Sequence, residues 1–503
     1  MTAVIIDKSA FLFWQQEALE NIQKIDKDAE LFYIEEGNED YFPTVLLPLC
    51  KVEEKVNGSK STYLKKGDTR FLNISVPFGD VGFKIDLLGF SKIFSLAMLT
   101  ESELYKIADE KNTEVHQLMF GDEFSAFPLK TIISDYRAKK PLCKVDVVKY
   151  MPGSRKETVY TSVSAIEEGL LLKTINEILG KCTLLYGRVL TGQNNTVNLQ
   201  LNKKIRYAGP IFAAKSAYLQ FAIHLLDKIF KKRQWMLLYN FRKDFNILQK
   251  IDFYEIFPPV SGFWADPFPF FYKGEYYIFF EELEYKVQKG FLSVLKIGRD
   301  RSISKISRIL ELDSHLSFPF IFEHNGSVYL MPESQKSGKL QLYEAEIFPE
   351  KWTHKANLLD DFKGVDTVLK KLGDFWWLFT TLKANNDVSG HEELHIYYAA
   401  DLFSGEWRPH AKNPVLSDAR VGRNAGAIIE QGGVLFRTSQ YSGSVYGRGL
   451  SVSQIKKLTV NEYEEELLDI NFANSGKGHY CTHTINCCGD LVVSDALRRI
   501  RRF

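Results

Sequence analysis

Trp264-Ala265-Asp266-Pro267-Phe268-Pro269-Phe270-Phe271-Tyr272-Lys273-Gly274-Glu275-Tyr276-Tyr277-Ile278-Phe279-Phe280-Glu281-Glu282 is an extended aromatic run, a turn and a second extended run ending in two acids. Aromatic and β-branched residues on either side of a glycine turn make a hairpin. The same unit returns from Ser317 to Glu333 around Asn325-Gly326 and from Gly364 to Thr380 around Gly373. It returns again from Arg423 to Gln440 around Gly432-Gly433, and from Cys481 to Ala496 around Gly489. The turn glycines stand 52, 47, 59 and 57 residues apart. A period near 50 is that of a propeller blade, so residues 235–503 are expected to form an all-β five-bladed propeller. The strand-like Gln234 to Asn240 is expected to close the ring against the last blade.

In such a ring the inner strand of each blade starts near one mouth of the central channel, and its partner returns there. Asp266, Glu281, Glu282, Glu333, Asp366, Arg423, Asn424 and His483 are therefore expected at one mouth, with Trp264 and Phe318 nearby. Paired carboxylates with different proton affinities suit acid–base work at a glycosidic bond. Asp266 is the candidate base. Glu333 is the candidate acid, because Met331 and Pro332 limit its hydration and raise its pKa. Asp366 is the third catalytic candidate, orienting the sugar or tuning Glu333. Trp264, Glu281, Glu282, Arg423, Asn424 and His483 are the substrate-binding candidates, Arg423 neutralising a phosphate or carboxylate. Each has a plainer reading. Asp-Pro caps turns, Glu281-Glu282 can face solvent at a blade edge, and Arg423 can pair with a neighbouring acid.

The first 200 residues read as a mixed α/β domain. Strands are expected at 3–7, 31–34 and 143–150, and helices at 13–26 and 101–109; Phe83 to Ala97 fits either a hairpin or a helix. A helix is expected from Ser162 to Leu179, capped by Ser162 or Ser164, weakened at Gly169 and stopped by Gly180. Residues 201–234 read as a basic helical connector. Over 203–244 ten basic side chains stand against Asp227 and Asp244. The helix-like part, Ala213 to Lys232, either docks its apolar face between domains or lies on an anionic membrane.

The chain has 503 residues, a formal net charge of +1, 45% hydrophobic and 25% charged residues. It is long enough for two or three domains, and its charge balance gives no reason to expect nucleic acid. Six scattered cysteines without metal-ligand spacing fit a reducing compartment. His479 and His483 flank Tyr480-Cys481-Thr482, and neither a metal nor a cofactor is expected. No basic stretch precedes an apolar core at Met1 to Asp7, and no apolar window reaches spanning length. The expectation is a cytoplasmic location, peripheral to the inner face of a membrane if the connector docks there.

Gly262-Phe263-Trp264-Ala265-Asp266-Pro267-Phe268, Phe279-Phe280-Glu281-Glu282 and Met331-Pro332-Glu333 resemble the amino-terminal propeller of glucosamine inositolphosphorylceramide transferases and related bacterial proteins. That propeller is similar to the five-bladed fold of furanosidase-type glycoside hydrolases, whose first-blade base Asp matches Asp266. By count, Phe318 takes the equivalent second-blade place, and Asp366 falls one residue beyond the third. His116 to Gly121-Asp122 and Lys181-Cys182-Thr183-Leu184-Leu185-Tyr186-Gly187-Arg188 resemble a formyltransferase-like domain. That family's catalytic Asn and His-x-Ser-Leu-Leu-Pro stretch are missing, which implies a degenerate relative used for packing or substrate presentation, with His116 and Asp122 as remnants of a site the alternative. Together the resemblances imply a glycosyl-transferring enzyme of surface-glycan or glycolipid assembly, acting on a carbohydrate or nucleotide sugar. A furanosidase-type hydrolase, and a glycan-binding or scaffold propeller without catalysis, are the alternatives.

Overall fold

The computed structural model describes residues 2–7, 12–34, 46–57, 76–78, 90–121, 125–193, 195, 210–385, 388–472 and 477–501. They fall into two compact units, Met1–Leu225 with Asn385–Ser389, and Leu226–Ala384 with Gly390–Phe503.

The first unit is built on a seven-stranded sheet whose strands Thr2–Asp7, Glu30–Ile34, Val76–Phe78, Lys92–Ser95 and Glu114–Phe120 pair in parallel. Leu142–Met151 and Arg155–Ala165 extend it antiparallel. Alternation along the first strand sends Val4 and Ile6 to a core with Trp14, Leu19, Ile175 and Leu179, and Ala3 and Ile5 to a second core with Leu104 and Ile107. Both faces of the sheet are thus covered by helices, Phe13–Ile25 and Leu171–Leu190 on one and Glu101–Lys111 on the other. Of the ambiguous stretch from Phe83 to Ala97, the described part is a strand, Lys92–Ser95.

The helix expected over 162–179 is corrected. Thr158-Val159-Tyr160-Thr161-Ser162-Val163 alternates with β-branched residues and continues the sheet as Arg155–Ala165. Gly169, at φ 80°, breaks the chain direction, and the helix runs from Leu171 to Leu190 with Gly180 buried inside it. His116 is a neutral core residue stacked on Phe94 at 4.8 Å, its pKa pushed down to about 3 by burial. Asp122 lies outside the described residues.

The second unit is a ring of five antiparallel sheets. Four blades follow one another over 262–310, 317–360, 365–417 and 423–472. The fifth takes Ile485–Cys488 and Leu491–Arg501 from the carboxy-terminal end and Lys231–Phe241 and Tyr254–Ile256 from before the first blade. Leu491–Arg501 pairs with Lys231–Phe241 along all eleven residues, which closes the ring. The helix before it is Pro210–Phe230, so Lys231 and Lys232, expected in the helix or connector, begin this strand. Residues Lys273-Gly274 and Asn325-Gly326 all have positive φ, the turn that matches strand twist in two-residue hairpins. Aromatic and aliphatic residues between blades form the core, with Phe279, Phe318, Leu342, Leu378 and Ile396 almost fully buried in one cluster.

Candidate functional site

Each of the first three inner strands carries a bulge near its start, between Ala265 and Phe268, Ser317 and Phe320, and Val365 and Val368. The second residue of each bulge has a left-handed backbone: Asp266 at φ 53°, Phe318 at 45° and Asp366 at 47°. Such conformations cost non-glycine residues on the order of 1–3 kcal/mol and persist where the surroundings impose them. Asp366 is therefore the third-blade equivalent of Asp266 itself. The offset of one residue expected from counting is corrected by the bulge.

Hydrogen bonds to these backbone groups tie the blades together. The Asp266 N–H donates to Asp495 Oδ2 at 3.3 Å, the Phe318 N–H to Asp266 Oδ2 at 3.3 Å, and the Asp366 N–H to Glu333 Oε2 at 2.8 Å. Glu333 and Asp495 play the same part. Each lies on a returning strand, Glu333 at its end and Asp495 within Leu491–Arg501, and receives the bulge N–H of the next blade.

Around Asp266 the ring is densely charged. Thr484 Oγ1 donates to Asp266 Oδ1 at 2.9 Å. His483 stands between two carboxylates, with Nδ1 2.5 Å from Asp495 Oδ2 and Nε2 3.7 Å from Asp266 Oδ1. Its ring stacks on Trp235 at 3.9 Å and meets the edge of Tyr446 at 5.4 Å. Gly447, at φ 63°, permits this approach, since a Cβ there would lie 2.9 Å from that of His483. Burial disfavours the imidazolium, but Asp495 and Asp266 outweigh it and lift His483 to about 9. Burial likewise lifts Asp266 to about 7, with His483 opposing and Glu281, Asp366 and Asp495 adding to the rise. Asp495 accepts two more N–H groups, from His483 at 2.9 Å and Thr484 at 3.1 Å.

The other carboxylates form a second cluster. Asp366 Oδ2 accepts from Arg423 Nε at 2.6 Å and from Gln440 Nε2. Arg423 Nη1 lies 2.7 Å from His391 Nδ1, and the guanidinium sits 4.9 Å from the Tyr446 ring centre. Glu333 is held well above the usual carboxylate range, first by burial and then by the Asp366 charge, against the pull of Arg423. Tyr446 joins the two clusters. Burial holds its hydroxyl protonated, and Asp366, Asp266 and Glu333 all act on it electrostatically.

The remaining candidates separate by strand alternation. Glu281 pairs with Ala265 and faces the mouth side, where Glu281 Oε1 lies 3.2 Å from His315 Nε2. That contact raises the His315 pKa against burial. Glu282, one residue on, points to the other face and accepts from Ser293 Oγ at 2.6 Å. Trp264 packs against Phe280 in the apolar core between the fifth and first blades. Asn424 is buried, its amide donating to the carbonyls of Asp366 and Phe379 and its oxygen accepting from Arg437. These three make framework contacts in the structure. Reading along the sequence missed Asp495, Tyr446, His391, Gln440 and Trp235. Asp495 and Gln440 carry a signal like that of Glu333, a polar residue on a returning strand, although Gln440 is next to last in Val434–Tyr441 and Asp495 lies within Leu491–Arg501. Tyr446 and His391 sit on loops, which have no period to read.

Asp266, His483 and Asp495 bring three potential ligand atoms within 4.8 Å of one another, and they are the group among the described residues that could hold a cation. With both carboxylates ionised, the charged imidazole between them leaves the cluster with one negative charge. The arrangement suits proton handling: a Glu333 held well above the usual carboxylate range, an Asp266 lifted to about 7, and a fixed guanidinium at Arg423.

Residues 255–487 match the family model described as glucosamine inositolphosphorylceramide transferase 1, N-terminal. Glucosamine inositolphosphorylceramide transferase 1 of Oryza sativa subsp. japonica is 32% identical over 221 residues, 43% of this chain and 29% of that protein. The Arabidopsis thaliana protein of the same name is 33% identical over 221 residues, with the same coverage of 43% and 29%. The match thus spans less than a third of the length of these plant proteins. Among solved structures, RS223-β-xylosidase overlaps 48% of this chain and 92% of its own at 11% identity and a TM-score of 0.36. The catalytic domain of Coprinopsis cinerea α-L-arabinofuranosidase overlaps 45% and 78% at 13% identity and a TM-score of 0.35. Residues 255–487 are thus similar to the amino-terminal segment of glucosamine inositolphosphorylceramide transferase 1.

Proposed function

We propose that the propeller mouth is a carbohydrate site and that the protein transfers a glycosyl group in glycan or glycolipid assembly. One observation carries the reading: Tyr446 stands between His483, which lies 3.7 Å from Asp266, and Arg423, which is bonded to Asp366, whose N–H donates to Glu333. The plant relatives, named as glucosamine inositolphosphorylceramide transferases, support a sugar donor as substrate. In the proposed step Asp266 takes the proton of an acceptor hydroxyl as that oxygen bonds to the anomeric carbon. The bond from that carbon to the leaving oxygen breaks, and Glu333 gives its proton to the leaving group. Arg423 offsets the charge of a leaving phosphate, and Asp366 keeps Arg423 oriented and Glu333 protonated.

Nucleotide-sugar donors and aryl furanosides are to be screened against wild type, Asp266→Asn and Glu333→Gln, with melting curves recorded for each. The reading expects transfer by wild type and a loss of about a hundredfold or more in either variant, with donor binding retained. Equal rates in the three folded proteins would overturn the assignment. The near-complete burial of Asp266 and Asp366 favours a second reading, glycan binding without turnover. In that case no donor is consumed and Asp266→Asn weakens binding only modestly.

A further inference from the structure

The helix Pro210–Phe230 has two unlike sides. Ala214, Ala217 and Phe221 join the core of the first unit. Leu219, Ile223, Leu226 and Phe230, spaced four, three and four residues apart, form one stripe on the opposite side, and all are exposed. Leu226, Ile229, Phe230, Phe257 and Val260 are between 45% and 76% exposed. The loop carrying Phe257 and Val260 is fastened to the strand that follows the helix. Gln234 Nε2 donates to the carbonyls of Pro259 at 3.0 Å and Gly262 at 2.9 Å, and the Arg498 guanidinium lies 4.5 Å from the Phe257 ring centre.

Basic side chains crowd the same end of the fifth blade. The register places Lys231 opposite Arg501 and Arg233 opposite Arg499. Like charges directly opposed across a ladder destabilise it. Asp227 answers Lys231 at 2.9 Å and Arg499 at 3.2 Å. Arg233 and Arg501 have no acidic partner among the described residues. Exposed apolar side chains beside an excess of cations, two of which no acid answers among the described residues, are complementary to a surface that offers anionic groups over an apolar interior. Among the described residues no helix is long and apolar enough to cross a membrane, which limits such a contact to the surface.

We propose that this corner docks the propeller onto a lipid bilayer carrying anionic headgroups. Leu226, Ile229, Phe230 and Val260 enter the headgroup region, and Lys231, Arg233 and Arg501 meet the phosphates and carboxylates. The corner borders the candidate site, because Trp235, four residues after Lys231, is the ring on which His483 stacks. Inner strands start at this end of the blades, as Gly262 and Asp266 show. The mouth therefore opens beside the bilayer, where a lipid-linked acceptor presents its headgroup. The docking stands apart from the catalytic assignment, since it is read without any sugar donor.

The test sediments the full chain with vesicles of phosphatidylcholine, with and without phosphatidylserine, at low and high salt. Wild type is expected to pellet with the phosphatidylserine vesicles at low salt and to be released as salt shortens the range of charge attraction. Each basic side chain near an anionic surface strengthens partition about fivefold, so Lys231→Gln, Arg233→Gln and Arg501→Gln together are expected to weaken it about a hundredfold. Leu226→Gln, Ile229→Gln and Phe230→Gln together are expected to leave the protein in the supernatant, with an unchanged melting temperature because all three positions are exposed. The proposal is overturned if wild type stays in the supernatant at low salt, or if either triple variant pellets like wild type. It is also overturned if light scattering finds a wild-type dimer that the apolar variant dissolves, which would make this face a contact between two copies.

Discussion

Asp495→Asn removes the acceptor that keeps His483 charged, and the structure gives the size and pH dependence of the loss. The carboxylate takes the N–H groups of His483 and Thr484 on one oxygen and those of Asp266 and the imidazole on the other. An asparagine offers one oxygen and an NH2 group, so at least one buried N–H faces another donor, at a cost of about 1–3 kcal/mol. In the wild type the His483 pKa of about 9 lies above its ordinary 6.5. The folded protein then holds a proton that the unfolded chain releases. That contribution is complete below pH 6.5 and disappears as pH rises through 9, amounting to roughly 3 kcal/mol. Asp266, lifted from 3.8 to about 7, adds a decline of the same sign at lower pH, from about 4 to 7. Because Asp266 retains part of the lift on His483, Asp495→Asn is expected to lose at most about 4–6 kcal/mol at pH 6 and ~1–3 kcal/mol at pH 9. Urea denaturation at pH 6, 7.5 and 9, read by pulsed hydrogen exchange of peptides spanning 481–501, separates the propeller from the first unit. A variant whose stability falls between pH 6.5 and 9 as steeply as wild type would refute the reasoning, because some other group would then be titrating.

Arg437 is fully buried and held by Glu465 through two bonds of 2.7 Å, so Glu465→Ala strands a cation and is expected to cost about 3–5 kcal/mol. A melting temperature equal to wild type would contradict this. Gly447→Ala combines a left-handed backbone with a 2.9 Å approach to His483 and is expected to lower stability by about 1–3 kcal/mol. Chemical denaturation at pH 6 measures it, and a neutral result would mean the loop is free to shift. Tyr446→Phe keeps the ring between His483 and Arg423 but removes the hydroxyl. Once a turnover assay exists, kcat is expected to fall by about a hundredfold with KM nearly unchanged, and a rise in KM alone would make Tyr446 a binding residue.

The ring could be read from sequence because its punctuation is local: glycine turns at near-constant spacing between aromatic runs. Strand polarity was also legible, and the structure gathers Asp266, Glu333, Asp366, Arg423 and His483 into one network. Strand faces were less legible. Alternation allows only one of Glu281 and Glu282 to face inward, and Trp264, paired with Glu282, turns with it into the core between blades. Bulges shifted the apparent register at Asp366, since an extra residue cannot be seen without its partner strand. For returning strands the polarity rule was carried only through the second blade, and so passed over Gln440 and Asp495. In the first unit, Ser162 and Ser164 looked like helix caps because serine suits both a cap and a buried strand edge. The alternating β-branched run that decides the matter began four residues earlier.

The two outer strands that complete the fifth blade are synthesised first and their partner last. Lys231–Phe241 leaves the ribosome about 250 residues before Leu491–Arg501 can reach it. At typical elongation rates of about 5–20 residues per second, the early strand waits roughly 12–50 s with a bare hydrogen-bonding edge. During that interval the nascent chain carries the hazard of any unpaired edge strand, and chaperones have something to shield. Circularisation thus waits for Leu491–Arg501, and a chain lacking that strand would hold four blades and an unsealed seam.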